Sequence, residues 1–144
     1  MRATGHVAFV ASYGAKLGRW LSIVGRPDEA EPLVDLARKF EGQETDWLWR
    51  QAWARVLAHR GEHAEAEALA REAVAILERV DGPTWQGDGY LDLADVLTSA
   101  GHIDKAVEAY GLALERYERK KNLAMVAQAR QRLDDLKQPQ RPTA

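Results

Sequence analysis

The sequence contains no cysteine, which excludes a disulfide framework, a thiolate nucleophile and a cysteine-ligated zinc site. It has no apolar run near the ~18 residues that a membrane-spanning helix needs. Its first residues, Met1-Arg2-Ala3-Thr4-Gly5-His6, lack the apolar stretch and small-residue cleavage site of a secretory leader. Neither sign of charge is in excess. Twenty Lys and Arg face 22 Asp and Glu, a net charge of −2, so nothing favours a general electrostatic grip on nucleic acid or on an anionic membrane. Isoleucine is scarce, and clean apolar/polar alternation over five or more residues is absent, which argues against a sheet.

What is abundant points to helix. Of 144 residues, 46 % are hydrophobic and 29 % charged, the balance of a folded domain rather than a disordered chain. The apolar set is dominated by alanine (24) and leucine (16), both strong helix formers. Ala66, Ala70, Ala73, Ile76, Leu77 and Val80 form one stripe at helical spacing. Breakers such as Gly25-Arg26-Pro27, Gly61 and Gly101 divide the chain into seven expected helices, 7–24, 27–40, 46–60, 63–80, 87–100, 103–119 and 121–137. Thr45 is the expected N-cap of the third, and Pro32 falls inside the second. Gly87-Asp88-Gly89 reads as a loop, and residues 138–144, with Pro139 and Pro142, as a frayed tail.

The helices repeat in pairs. Leu21 to Ala30, Leu57 to Ala66 and Leu97 to Ala106 each read Leu-x3-Gly-x4-Ala, and a further alanine follows seven residues on, at Ala37, Ala73 and Ala113. The glycines lie 36 and 40 residues apart, the period of a helix–turn–helix repeat. Small residues of the first helix (Gly18, Ala54, Ala94), leucines three positions on, turn glycines and small residues of the second helix all coincide. In this the pattern resembles the tetratricopeptide repeat, although the closing proline is missing from all three units. The resemblance implies an all-α, right-handed superhelix of three hairpins, about 11–44, 47–80 and 87–120, with a capping helix at 121–137, all in one domain. Trp47–Arg50, Ala54–Ala58, Ala64–Val74, Leu91–Leu97 and Leu114–Asn122 also resemble the C-terminal repeat tail of bacterial signalling proteins. In those proteins the tail follows a class III nucleotide cyclase domain or an NTPase domain of regulatory ATPases. Neither catalytic domain is present, so the resemblance implies a regulatory tail or a stand-alone relative, without cyclase or ATPase activity; the absence of cysteine fits a cytoplasmic setting.

One helix pair cannot bury its apolar stripe alone, and stacking closes the core. The last segment has Leu123, Val126, Ala127, Leu133 and Leu136 on one side and charges elsewhere, as a cap requires. The first is apolar almost all round, through Val7, Phe9, Val10, Tyr13, Leu17, Trp20, Leu21 and Val24. Phe9, Val10 and Tyr13 are therefore candidates for contact with an upstream domain or a second copy of the chain. The repeat register implies that the first helices line a concave groove. Its candidate residues are Arg19, Gln51, Arg55, Leu91, Asp92 and Asp95, basic at one end and acidic at the other, suited to a peptide of complementary charge. An ordinary solvated helix face is the plainer alternative. Replacing Arg19 and Arg55 by Glu should then remove binding without unfolding the chain.

No chemistry is legible beside this. His59 and His63 straddle Gly61 and read as turn-surface histidines rather than a metal pair. Asp88, Asp92 and Asp95, at i, i+4 and i+7, read as a solvated or peptide-facing acidic stripe rather than a Mg2+ or Ca2+ site. Gly14-Ala-Lys-Leu-Gly18 sits in a helical pattern and lacks the Gly-Lys-Ser/Thr of a phosphate loop. No serine has a histidine and carboxylate arranged around it, so no enzyme and no cofactor is expected. Trp20, Trp49 and Trp53 read as core, and Trp47 and Trp85 as loop pins or partner anchors. The expected function is protein or peptide binding. The alternatives are homodimerisation through the first helix and a small-molecule pocket near Trp49, Trp53 and Leu91.

Overall fold

The computed structural model describes residues 5–40 and 43–138, without the side chains at 5, 7, 8 and 43–45, so that Val7 and Thr45, like the tail from 139, lie outside the described residues. Seven helices follow one another: α1 (Gly5–Ile23), α2 (Pro27–Arg38), α3 (Gln43–His59), α4 (His63–Leu77), α5 (Pro83–Ser99), α6 (Ile103–Lys120) and α7 (Leu123–Lys137). Among the described residues there is no strand. The helices form hairpins α1/α2, α3/α4 and α5/α6. Adjacent hairpins stack through α1 on α3, α2 on α3, α4 on α5 and α3 on α5, and α7 packs on α6.

The three repeat glycines explain where each hairpin turns. Gly25, Gly61 and Gly101 have φ of 83°, 79° and 80°, the left-handed region that glycine enters without a Cβ penalty. Each closes its helix identically. The glycine N–H donates to the carbonyl three residues back (Ser22, Ala58, Thr98), and the next N–H donates to the leucine carbonyl five back (Leu21, Leu57, Leu97). This Schellman pairing satisfies the carbonyls that a helix end leaves open. The same geometry ends α6 with no glycine at all: Lys121 takes φ 58°, its N–H donates to Glu118, and that of Asn122 donates to Tyr117.

The alanines of the repeat are the contact points of the stack. Ala30, Ala66 and Ala106, their partners Ala37, Ala73 and Ala113, and Ala54 and Ala94 are all fully buried. Small side chains there let helix axes approach closely, while Leu57, Leu77, Leu91, Leu93, Val96, Leu97 and Tyr117 fill the volume between.

Three expectations are corrected. Gly87-Asp88-Gly89 is not a loop, because α5 begins at Pro83 and runs through it. A Cβ on Gly87 would stand 2.6 Å from the Tyr117 ring, and one on Gly89 2.7 Å from Leu77 Cδ1, so these glycines serve close packing inside a helix. In α7 the packed side is Met125, Val126, Ala129, Leu133 and Leu136. Leu123 and Ala127 face outward, because Leu123 opens the helix beside the turn and Ala127 lies off the contact seam. Trp20 is not core: it is 53 % exposed.

That exposure belongs to a wider inversion in α1. Its inner face is made of small residues, Ala11, Ser12, Ala15, Gly18 and Ser22, with Leu21 as its one large buried side chain. Phe9, Val10, Tyr13, Leu17, Trp20 and Ile23, with Val24 just beyond the helix, are exposed.

Candidate interaction site

The first helices of the hairpins, α1, α3 and α5, present Arg19, Gln51, Arg55, Asp92 and Asp95 to one another. Their meeting point is Asp92, with no exposed surface. Arg19 reaches it in a two-pronged pair, Nε to Oδ2 at 2.8 Å and Nη2 to Oδ1 at 2.9 Å. Gln51 Nε2 donates to Oδ2 at 2.9 Å, and Arg55 Nε to Oδ1 at 2.6 Å. Arg55 continues to Asp95 at 2.7 Å, and Asp95 also accepts from Arg132 of α7 at 2.6 Å and from the Tyr110 hydroxyl of α6. One level earlier on α5, Asp88 accepts from the Tyr117 hydroxyl.

The cluster has a structural consequence that stacking alone does not supply. Repeat arrays are ordinarily held by contacts between neighbouring units. Arg19 and Asp92 are 73 residues apart and join the first hairpin to the third across the second. Three side chains donate four hydrogen bonds to a carboxylate that would otherwise be very costly to bury.

The electrostatics follow from that placement. Burial pushes the Asp92 carboxyl up, but the charges and hydrogen bonds of Arg19 and Arg55 outweigh it and hold it below the ordinary carboxylate value. Burial pulls the Arg55 guanidinium down, and Asp92 and Asp95 more than reverse this. Asp88 goes the other way: burial raises it, and the opposing pull of Arg19 and of the Tyr117 hydroxyl does not compensate. Burial also raises the Tyr110 and Tyr117 phenols, reinforced by Asp95 and Asp88 respectively.

The six candidate groove residues therefore do not form two charged ends of an open trough. The bases and acids neutralise one another, Gln51, Arg55, Leu91 and Asp92 are buried, and Arg19 and Asp95 keep only an edge in water. Leu91 faces the core among Ala94, Leu97 and Tyr117. The acidic stripe is thus not a solvated one at Asp92. The double Arg19→Glu, Arg55→Glu exchange would place two carboxylates against a buried third and destabilise the fold, contrary to expectation. A sequence signal for the cluster did exist, since Arg19, Arg55 and Asp95 occupy one equivalent repeat position. Tyr110, Tyr117 and Arg132 had none, because their hydroxyls and guanidinium arrive from helices outside that register.

Two shallow depressions flank the cluster at successive levels of the first helices. One, of about 250 Å³, is lined by Lys16, Arg19, Trp47, Leu48, Gln51, Trp85 and Asp88. In it the Trp47 and Trp85 rings meet at 5.8 Å, Trp47 buried and Trp85 45 % exposed. The other, of about 220 Å³, is lined by Ser22, Ile23, Arg55, Ala58, His59, Asp95, Val96 and Ser99. There the buried Ser22 Oγ has no hydrogen-bond partner. His59 is more than a turn-surface residue, since its Nε2 donates to the Ser22 carbonyl at 2.7 Å and ties α3 to α1. Neither depression is lined by Trp49, Trp53 or Leu91.

Among the described residues, no group of three or more His, Asp or Glu is placed to hold a metal ion. No helix among them is long and apolar enough to cross a membrane. The Asp92 carboxylate is engaged by arginine and glutamine donors, and that of Asp95 by arginine and tyrosine donors.

A family model for the tetratricopeptide repeat matches residues 44–119, the segment that builds α3 to α6. No curated protein and no solved structure matches the chain significantly.

Proposed function

The chain belongs to the tetratricopeptide repeat family, and from that premise we propose that it is a receptor for an extended or helical peptide segment, bound along the face formed by α1, α3 and α5. Repeats of this family generally mediate protein–protein interaction and are typically non-catalytic. The observation that carries the narrower reading is the pair of depressions on either side of the Asp92 cluster. Each combines apolar walls with polar groups. Trp85 and Lys16 line one, and Ser99 and His59 the other, beside the buried Ser22 hydroxyl.

In this reading the ion-pair cluster holds three helices in fixed register, and the partner touches the groups around it. A face locked in this way loses little freedom on binding, so more of the contact energy appears as affinity. Half-exposed Trp85, its ring tilted against that of buried Trp47, is the natural anchor, since tryptophan dominates interface hot spots. The setting we infer is a regulatory or sensory tail of a bacterial cytoplasmic signalling protein. Support for this is the sequence likeness of the second and third hairpins, and an in-frame cyclase or NTPase segment upstream in the gene would bear it out.

The test is selection of peptides from a random display library against the purified chain, followed by isothermal titration of the winners. Trp85→Ala should weaken a selected peptide by about tenfold to a hundredfold. Ser99→Trp, which fills the second depression, should do likewise, while Arg71→Ala on the far side of the hairpin should leave affinity unchanged. Peptides indifferent to both face substitutions would retire this surface.

A further inference from the structure

The outward face of α1 carries an inference of its own, independent of the groove. Subtracting the repeat periods shows what this face is. Tyr13, Leu17 and Trp20 are equivalent to Trp49, Trp53 and Val56 in the second hairpin and to Gly89, Leu93 and Val96 in the third. In those hairpins the positions are the stacking surface. Val56 is fully buried with Leu21 and Ala30 of the first hairpin, and Trp53 packs on the same cluster. Gly89 lies against Leu77 and Val74 of the second. The α1 face is thus an inter-repeat surface with nothing on it.

We propose that this face pairs with the same face of a second copy of the chain, giving a closed two-fold dimer through antiparallel α1 helices. Three observations select a copy of this chain as the occupant. The first is area. Phe9, Tyr13 and Trp20 are 62, 60 and 53 % exposed. With aromatic side chains worth ~150–250 Å² each and four half-exposed aliphatic residues beside them, the face offers on the order of 600 Å² per copy. Twice that reaches the ~1,200 Å² at which specific interfaces begin.

The second is charge. Helix α1 contains no acidic residue and only two cations. One, Arg19, is committed to Asp92, and the other, Lys16, lies 5.9 Å over the Tyr13 ring, with a stem long enough to keep its ammonium in water. Self-pairing therefore buries no carboxylate. The third is the difference between the two ends of the array. The outer side of α7 exposes Arg130, Gln131, Asp134 and Asp135, and its exposed apolar residues are Leu123 and the small Ala124 and Ala127 near its start, too little to cover the α1 stripe in a head-to-tail chain. Only the α1 end is adhesive, and an interface that uses one surface twice closes at two copies. The stripe suits a two-fold axis between Lys16 and Leu17. Tyr13 then lies across from Trp20 of the second copy, and Phe9 from its Val24.

Sedimentation velocity on the full chain over a wide micromolar range tests this. The expected result is a dimer that the Tyr13→Glu, Trp20→Glu double variant weakens by ~100-fold or more, with unchanged helical circular dichroism. The absence of native cysteine allows a positional check. Leu17→Cys should oxidise to a disulfide-linked dimer, whereas Leu123→Cys, 77 % exposed at the start of α7, should not. A chain that stays monomeric throughout would give the face to a preceding hairpin or another protein and overturn the proposal. A dimer indifferent to the double variant, or one cross-linked at Leu123 and not at Leu17, would overturn it equally.

Discussion

The two ends of this array solve the same problem in opposite ways. Both the first and the last helix have a neighbour on one side only. Helix α7 turns Val126, Ala129, Leu133 and Leu136 inward and charges outward, so the open end meets water with little apolar loss. Helix α1 turns Ala11, Ala15 and Gly18 inward and its aromatic residues outward. Inner small residues are needed because α1 must lie close to α2: a Cβ on Gly18 would already stand 3.0 Å from Val34 Cγ2. The contrast shows that a repeat position prescribes which face stacks, while the surroundings decide whether that face is covered. The family match runs over α3 to α6 and leaves the first hairpin outside, which agrees with the departure of α1 from the ordinary pattern.

The sharpest way to break the comparison is at Asp92, which clasps the unusual first hairpin to the ordinary third. Asp92→Asn removes the counter-charge of Arg19 and leaves buried Arg55 with Asp95 alone, and should cost about 3–5 kcal/mol, read from urea unfolding. A loss confined to fluorescence of α1 and α3 tryptophans would show the first hairpin detaching alone. Smaller, and restricted to the C-terminal half, is Gly87→Ala. Its Cβ would collide with the Tyr117 ring, and overpacking of this kind costs ~1–3 kcal/mol. A shift of thermal midpoint in the stabilising direction would contradict the close approach. Ala106→Leu at a hairpin crossing should fall in the same ~1–3 kcal/mol range.

Two acids one turn apart should also differ in sign. The Asp92 carboxyl is held below its ordinary value, so its contribution is complete above that value and is lost as pH falls through the folded pKa. Asp88 is raised, so the folded chain holds its proton more tightly. Its contribution is complete at low pH and is lost as pH rises through the raised value. Asp88→Asn should therefore gain stability relative to the parent at neutral pH, with the gain shrinking in acid; unfolding curves across pH would reveal a wrong sign. The smallest effect belongs to the turns. Lys121 occupies the left-handed position that glycine fills at the other three hairpin ends, so Lys121→Gly should stabilise by up to ~1 kcal/mol and Gly25→Ala should destabilise by ~1 kcal/mol.

Much of the architecture was legible because its causes are local. Leu-x3-Gly-x4-Ala marks each turn through the left-handed glycine and the alanine contact that follows, and the three sites fall where the spacing places them. The start of α5 was obscured for an equally physical reason. Gly87 and Gly89 carry a loop composition but exist to admit Tyr117 and Leu77, partners from α6 and α4. The end of α6 was blurred because lysine performs the turn without a glycine to announce it. Of the candidate groove, position was readable and role was not. Arg19, Arg55 and Asp95 share a repeat register, yet register says only that they lie on stacked helices, not that Asp92 gathers them.

By itself the amino-acid order determined the helices, their pairing and the close contacts of the stack, since periodicity, a glycine's φ and an alanine's volume act within one or two turns of chain. Tertiary structure alone decided that opposing charges satisfy each other out of water and that Trp20 joins Phe9 and Tyr13 on the outward face of α1. Both depend on which surfaces meet once 73 residues of intervening chain have folded back, and a Coulomb pair or an uncovered face has no counterpart in local pattern.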